Sequence, residues 1–140
     1  MTQQQIYHVK STWAVVSTLD AEAVGGLFYN RLFEIAPQLR HMFHAPVNEQ
    51  SRKLLSMIGY VINKLDKLDE IIDEVAKLAR RHVQYGVKDS HYSTVAEALL
   101  WTLEKGLGDQ WTPEVKEAWV CCYTLLANAM IEAGKTAEAA

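Results

Sequence analysis

The sequence predicts an all-α fold of about seven helices, and three observations carry that expectation. Apolar residues recur at spacings of three and four along almost the whole chain. No Val/Ile/Thr run alternates with polar residues as a half-buried strand would. The breaks in the apolar pattern fall at residues that start or stop helices. With 140 residues, 49% of them hydrophobic, the chain suits one domain over residues 1–140 with a core of useful size.

Thr2 followed by Gln5 is a capping-box pattern, opening a first helix over about residues 2–18 that turns Ile6, Val9, Trp13 and Val16 inward. Asp20 caps a second, which carries Val24, Leu27, Phe28, Leu32 and Phe33. Pro37 ends it, because the proline ring cannot continue a helix, and opens a short helix that stops near Phe43. Residues 44–48, with Pro46, read as a turn, after which Leu54, Leu55, Ile58, Val61, Ile62 and Leu65 draw a long core-facing stripe. Beyond a polar turn at 66–69, Ile71, Ile72, Val75, Leu78 and Ala79 lead a helix to Tyr85, with His82 in its last turn and Gly86 as its left-handed terminator. Asp89 or Ser90 caps the next helix, which holds Val95, Leu99, Leu100 and Leu103 and stops at Gly106 and Gly108. Thr112-Pro113 starts the last, whose wide buried face is Val115, Trp119, Cys122, Tyr123, Leu126, Met130 and Ile131, and residues 136–140 are expected to fray.

Composition excludes several function classes. The formal charge is -3, with 14 basic and 17 acidic residues dispersed along the chain, so no basic stripe offers a footprint for nucleic acid. No apolar run is long enough for membrane insertion, and the first residues lack a charged leader followed by an apolar core, so a cytoplasmic location is expected. Cys121 and Cys122 are adjacent within a helical stretch and cannot staple distant segments, which suits a reducing compartment. His8, His41, His44, His82 and His91 show no spacing that assembles a zinc or di-iron site. A glycine-rich phosphate loop and a nucleophile elbow are also missing, which turns attention to a bound cofactor.

The run Phe28-Tyr29-Asn30-Arg31-Leu32-Phe33, followed by Pro37, Leu39 and Phe43, resembles the bacterial globins related to flavohaemoglobin globin domains. Arg81-His82-Val83-Gln84-Tyr85-Gly86-Val87, then His91-Tyr92, then Ala118-Trp119 and Tyr123, extend the resemblance over nearly the whole chain. It implies a globin-like fold whose helices enclose a haem pocket, and about seven helices with a sharp bend at Pro37 suit that packing better than a four-helix bundle. By the same resemblance His82 is the proximal iron ligand and Phe43 the haem-stacking phenylalanine, while Tyr29, Gln50 and Leu54 face the gaseous ligand. Taken singly, His82 reads equally as a histidine satisfying a helix C-terminus, Phe43 and Tyr29 as core aromatics, and Gln50 as an exposed first-turn residue.

The implied roles make chemical sense. A histidine ligand must be neutral, with its other ring nitrogen donating to an acceptor, for which the Leu78 carbonyl one turn earlier is the candidate. Oxygen that draws electron density from iron gains negative charge, which a phenol and an amide can stabilise; neutral carbon monoxide gains much less. Gln50 and Leu54 are four apart and share a helix face. Lys53 and Arg81 are candidates for the haem propionates, or plain solvated charges. The cofactor implied is haem b, iron protoporphyrin IX, since no CxxCH run exists for covalent attachment.

The family pattern supports the proximal histidine with a tyrosine and a glutamate; Tyr92 matches the first, but Gly134 stands at the place of the second, and Glu132 nearby points elsewhere. The implied ligands are oxygen, nitric oxide and carbon monoxide. Two functions follow from the resemblance: nitric oxide dioxygenase fed by an external reductase, with Tyr29 and Gln50 as the catalytic pair, or non-enzymatic oxygen storage, delivery or sensing. A third reading is a cofactor-free helical interaction module.

Overall fold

A computed structural model of the chain describes the backbone of residues 1–139 and the side chains of residues 1–135. Among the described residues there are six α-helices and no strand: α1 (Gln3–Val16), α2 (Ala21–Ile35), α3 (Val47–Asn63), α4 (Ile72–Gln84), α5 (Asp89–Leu107) and α6 (Pro113–Ala139). A 3-10 helix over Pro37–Met42 makes the seventh helical segment, and shorter 3-10 turns sit at Leu68–Ile71 and Gly108–Gln110. None of these helices, among the described residues, is long and apolar enough to cross a membrane. The expected fraying of 136–140 concerns side chains, and at Ala140 a backbone, that lie outside the described residues.

The helix starts follow their local chemistry. The Thr2 hydroxyl accepts from the Gln5 N–H at 3.0 Å while the Gln5 side chain accepts from the Thr2 N–H at 2.9 Å, so two orphan donors are satisfied at once. Asp20 accepts from the Ala23 N–H at 3.3 Å. Gly86, at φ +87, ends α4 in the left-handed region as expected.

Four local expectations shift. α3 begins at Val47, so Asn48 lies in the helix, because Pro46 already supplies the extended residue that precedes it. The 3-10 turn before α4 rotates the chain so that Ile71 is 1% exposed and Ile72 is 62% exposed. Leu27 lies on the outer face of α2. Asp89 is the first helical residue of α5, and its start is capped not by Asp89 or Ser90 but by the His91 ring, which accepts from the Lys88 N–H at 3.0 Å.

Two clusters form the core. The larger joins Val9, Trp13 and Val16 of α1 to Ile62 and Leu65, Leu103 and Leu107, and Val115, Ala118, Trp119 and Cys122. The Trp119 indole N–H donates to the Thr12 hydroxyl at 2.9 Å, which in turn donates to the His8 carbonyl. The smaller cluster, Phe28, Tyr29, Leu32, Ala36, Leu39 and Ala98, lies where α2 meets α5 and the Pro37–Met42 helix.

What positions the site is the way consecutive helices are divided between partners. α3 packs on α2, and α4 on α6, while α3 and α4 scarcely touch each other. The α2–α3 crossing is close because Gly25 has no side chain: a Cβ there would sit 2.1 Å from Ser51 Cβ and 2.7 Å from its Cα. Ser51 is fully buried and donates its hydroxyl to Val47 within its own helix at 2.7 Å. On the other side, Gly134 of α6 is buried against Val83 of α4, where an added Cβ would meet Val83 Cγ2 at 3.2 Å.

Adjacent glycines in α2 provide a test of this crossing. Gly25→Ala should destabilise the protein by about 1–3 kcal/mol through overpacking. Gly26→Ala, where nothing lies within 4 Å of an added Cβ, should stabilise it by about 0.5–1 kcal/mol through helix propensity. Urea unfolding of both variants gives opposite signs if the crossing is as described.

Candidate functional site

Because α3 and α4 are held by different partners, a cleft of about 550 Å³ opens between them. Arg52, Lys53, Ser56, Met57 and Tyr60 line it from α3, and Glu74 and Arg81 from α4. Met57 and Tyr60 leave large apolar surfaces exposed there, which suits a flat, mostly apolar guest with charges at its edge. Lys53 and Arg81, expected as rim cations, do line the same cleft. Lys53 also reaches Glu49 at 3.5 Å, and Arg52 pairs with Glu22.

His82 stands in the last turn of α4, and its Nδ1 donates to the Leu78 carbonyl at 2.8 Å, the acceptor expected from the sequence. That bond fixes the tautomer: with the proton on Nδ1, Nε2 carries a lone pair. Burial depresses the imidazole below the ordinary histidine range; the Leu78 carbonyl opposes this and the Arg81 charge adds to it. The ring is therefore neutral at pH 7, as a metal ligand must be. Among the described residues no group of three or more His, Cys, Asp or Glu side chains is placed to hold a metal ion. A metal meeting His82 would have to bring the rest of its coordination sphere with it, which is what a porphyrin does.

Four aromatic rings gather beside α3. Tyr29 meets Phe43 edge-on at 5.3 Å and stacks with Phe33 at 6.0 Å, while Phe33 and Phe43 are 5.6 Å apart and Phe28 lies 5.0 Å from Tyr29. Leu54 of α3 packs on this group, so Tyr29, Phe43 and Leu54 come together as expected. Tyr29 is 4% exposed, and its hydroxyl is not among the buried polar atoms left without a partner. Burial pushes that hydroxyl up to about 12, so it is a neutral donor. Gln50, half-buried in the first turn of α3, makes no side-chain hydrogen bond among the described residues, and sits one turn before Leu54.

Tyr92 lies in the first turn of α5, and no hydrogen bond links it to His82 among the described residues. Its carbonyl accepts from the Tyr123 hydroxyl of α6 at 2.6 Å. Burial, and secondarily the Asp89 charge, raise the Tyr92 phenol above its ordinary range. Glu132 reaches Lys135 at 3.5 Å, and Gly134 is pressed against Val83, leaving no room there for a carboxylate without movement.

Sequence reasoning missed Phe33 as a member of the ring cluster, Val83 and Gly134 as a contact, and Arg52, Met57 and Tyr60 as cleft residues. A signal for the last group exists: residues 53, 57 and 60 form a second stripe on α3, offset from the inward-facing one.

Of the expected site residues only Lys53 and Arg81 line the cleft; His82 follows Arg81 in α4, and Tyr29, Gln50, Phe43, Leu54 and Tyr92 are not among the lining residues. A family model described as Globin matches residues 26–130. A flavohemoprotein from Vibrio cholerae is 31% identical over 94% of this chain and 34% of its own length. An anaerobic nitrite reductase from Physcomitrium patens is 31% identical over 86% of this chain and 74% of its own. A bacterial globin from Campylobacter jejuni superimposes with a TM-score of 0.84 at 25% identity, covering 96% of this chain and 97% of that one. The chain belongs to the globin family, and it spans about a third of the length of the flavohemoproteins it matches.

The burial of His82 has a pH signature in the polypeptide alone. Because its folded pKa is depressed below the ordinary value of about 6.5, the unfolded chain binds the proton more readily; its contribution is complete above that value and is lost as pH falls through the folded pKa. NMR titration should place the His82 ring below 6.5, and His82→Leu should reduce the loss of urea stability on acidification. A His82 titration at or above 6.5 would contradict the described environment.

Proposed function

We propose that the chain holds haem b in the α3–α4 cleft through His82 and binds oxygen and nitric oxide, acting as a nitric oxide dioxygenase supplied by an external reductase. The observation that carries this reading is the neutral His82 ring, its Nδ1–H committed to Leu78, next in sequence to Arg81, which lines the cleft that the two helices leave open. When bound, haem supplies an iron that takes up diatomic gases and passes an electron to them.

The chain's own residues do the rest. The Leu78 carbonyl holds the His82 tautomer and orientation. Lys53 and Arg81, with Arg52, offer cations to the propionates at the cleft rim. Phe43 and Leu54 present apolar faces that exclude water from the gas site. Tyr29 remains a neutral donor and, with Gln50 as the second donor, would hydrogen-bond a gaseous ligand able to take on negative charge; carbon monoxide would draw little from either. The net reaction is NO + O2 + one electron giving nitrate, and the electron has to be restored after each turnover. Tyr92 and Tyr123 brace the proximal side.

Relatives named flavohemoproteins carry a length beyond the globin part, consistent with a flavin reductase that this chain would meet as a partner. A reducing, cytoplasmic setting fits that supply and the two free cysteines. One observation favours non-enzymatic oxygen binding: with Gly134 in place of a carboxylate, only a backbone carbonyl polarises His82, which weakens electron donation towards iron.

Mixing the oxygenated protein with nitric oxide in a stopped-flow instrument separates the two. Dioxygenase function gives rapid, stoichiometric nitrate and ferric haem; a carrier releases oxygen without forming nitrate at that rate. Tyr29→Phe should speed oxygen dissociation roughly ten- to a hundredfold, the loss of a hydrogen bond of about 1.5–3 kcal/mol to a charged acceptor, and leave carbon monoxide dissociation nearly unchanged. Equal oxygen dissociation in both proteins would remove Tyr29 from the gas site.

A further inference from the structure

The corner that leads out of the His82 helix is only four residues long, 85–88, and each of its amides is accounted for. Tyr85 and Gly86 donate to the carbonyls of Arg81 and Val83, both at 3.0 Å. Val87 donates to the carbonyl of His82 itself, at 3.0 Å. The next amide, of Lys88, donates to the Nδ1 of His91 at 3.0 Å, and the His91 N–H returns a bond to the Lys88 carbonyl at 2.9 Å. A backbone N–H can only donate, so Nδ1 is the acceptor and the ring proton resides on Nε2. His91 thus does the work that Glu or Gln does at the third position of a capping box. The Lys88 ammonium has no acceptor to offer in its place.

We propose that His91 is a positioning residue for the proximal site: by holding the Lys88 amide it fixes the corner whose neighbouring amide holds the His82 carbonyl, and so sets the orientation of the His82 ring. This rests on the reading of His82 as the haem ligand. The geometry gives the clasp a firm base. Residue 92, next in sequence, is anchored through its carbonyl to Tyr123 of α6, and α6 is also the platform on which α4 rests through Val83 and Gly134. The first turn of α5 is therefore a fixed post, and the His91 ring ties the corner to it. Loss of the acceptor frees Lys88 first, then Val87, then the last turn of α4, where a small rotation moves the imidazole against its partner.

Three variants test this. His91→Leu keeps bulk and removes the acceptor, His91→Ala does the same in a better helix former if the leucine variant does not fold, and His91→Gln restores an acceptor at the capping-box position. In the protein without haem, NMR hydrogen exchange at Val87 and Lys88 should quicken about three- to tenfold in the first two and return to the wild-type rate in His91→Gln. In the haem-loaded protein, the iron–histidine stretching band in the resonance Raman spectrum should shift or broaden in the first two and recover in His91→Gln. An unchanged Val87 rate and an unmoved band without the acceptor would overturn the proposal, as would a glutamine variant that behaves like the leucine one. Failure of the underlying reading has its own mark: a band that persists in His82→Gly overturns both, whereas a band that vanishes in His82→Gly but ignores position 91 overturns only the role of His91.

Discussion

Everything about this molecule depends on α3 and α4 being held by different partners. Helices adjacent in sequence ordinarily bury their apolar faces on each other, but here α3 is drawn onto α2 and α4 onto α6. Both attachments are made close by a residue without a side chain, Gly25 facing Ser51 and Gly134 facing Val83. The slot between the two walls is therefore a property of the packing around it, and it keeps its width because neither wall can move inward without leaving its own anchor.

Polar groups in the interior divide along the same line. Trp119, Thr12, Ser51 and Thr102 all find partners within the protein, mostly a carbonyl of their own helix. The Tyr29 ring is packed among Phe28, Phe33 and Phe43, but its hydroxyl is not one of the buried orphans. The rings fix the tyrosine in place while leaving its donor uncommitted. His82 on α4 is committed at Nδ1, which leaves the lone pair on Nε2. Among the described residues the one buried side-chain polar atom without a partner is Arg31 Nε, whose guanidinium lies 5.2 Å from the Trp101 ring centroid.

Much of this was legible in the amino-acid order because it is local. Thr2 and Gln5, Asp20, Pro37, Gly86 and Pro113 act over three or four residues, and each does what its chemistry dictates. The Leu78 acceptor was legible for the same reason, being one helical turn from His82. What could not be read are relations across the chain. The opposition of Val83 and Gly134 joins residues far apart in sequence, and a glycine inside a helix signals a close approach without saying to what. Ile72 carries the right hydrophobicity for the core, but a 3-10 turn changes the helical phase just before it and puts Ile71 inside instead. His91 was passed over as a cap because histidine is rarely read as an acceptor, and Asp89 and Ser90 carry the usual cap chemistry one and two residues earlier.

The central claim is that the cleft receives haem and that His82 is the residue that binds its iron. Optical titration of the purified polypeptide with haemin under reducing conditions addresses it directly, comparing the natural sequence with His82→Ala. The account predicts a sharp, stoichiometric end point and a strong Soret band for the natural chain, and loss of tight binding in the alanine variant. A protein that takes up no haemin, or an alanine variant with the same affinity and spectrum, would contradict it.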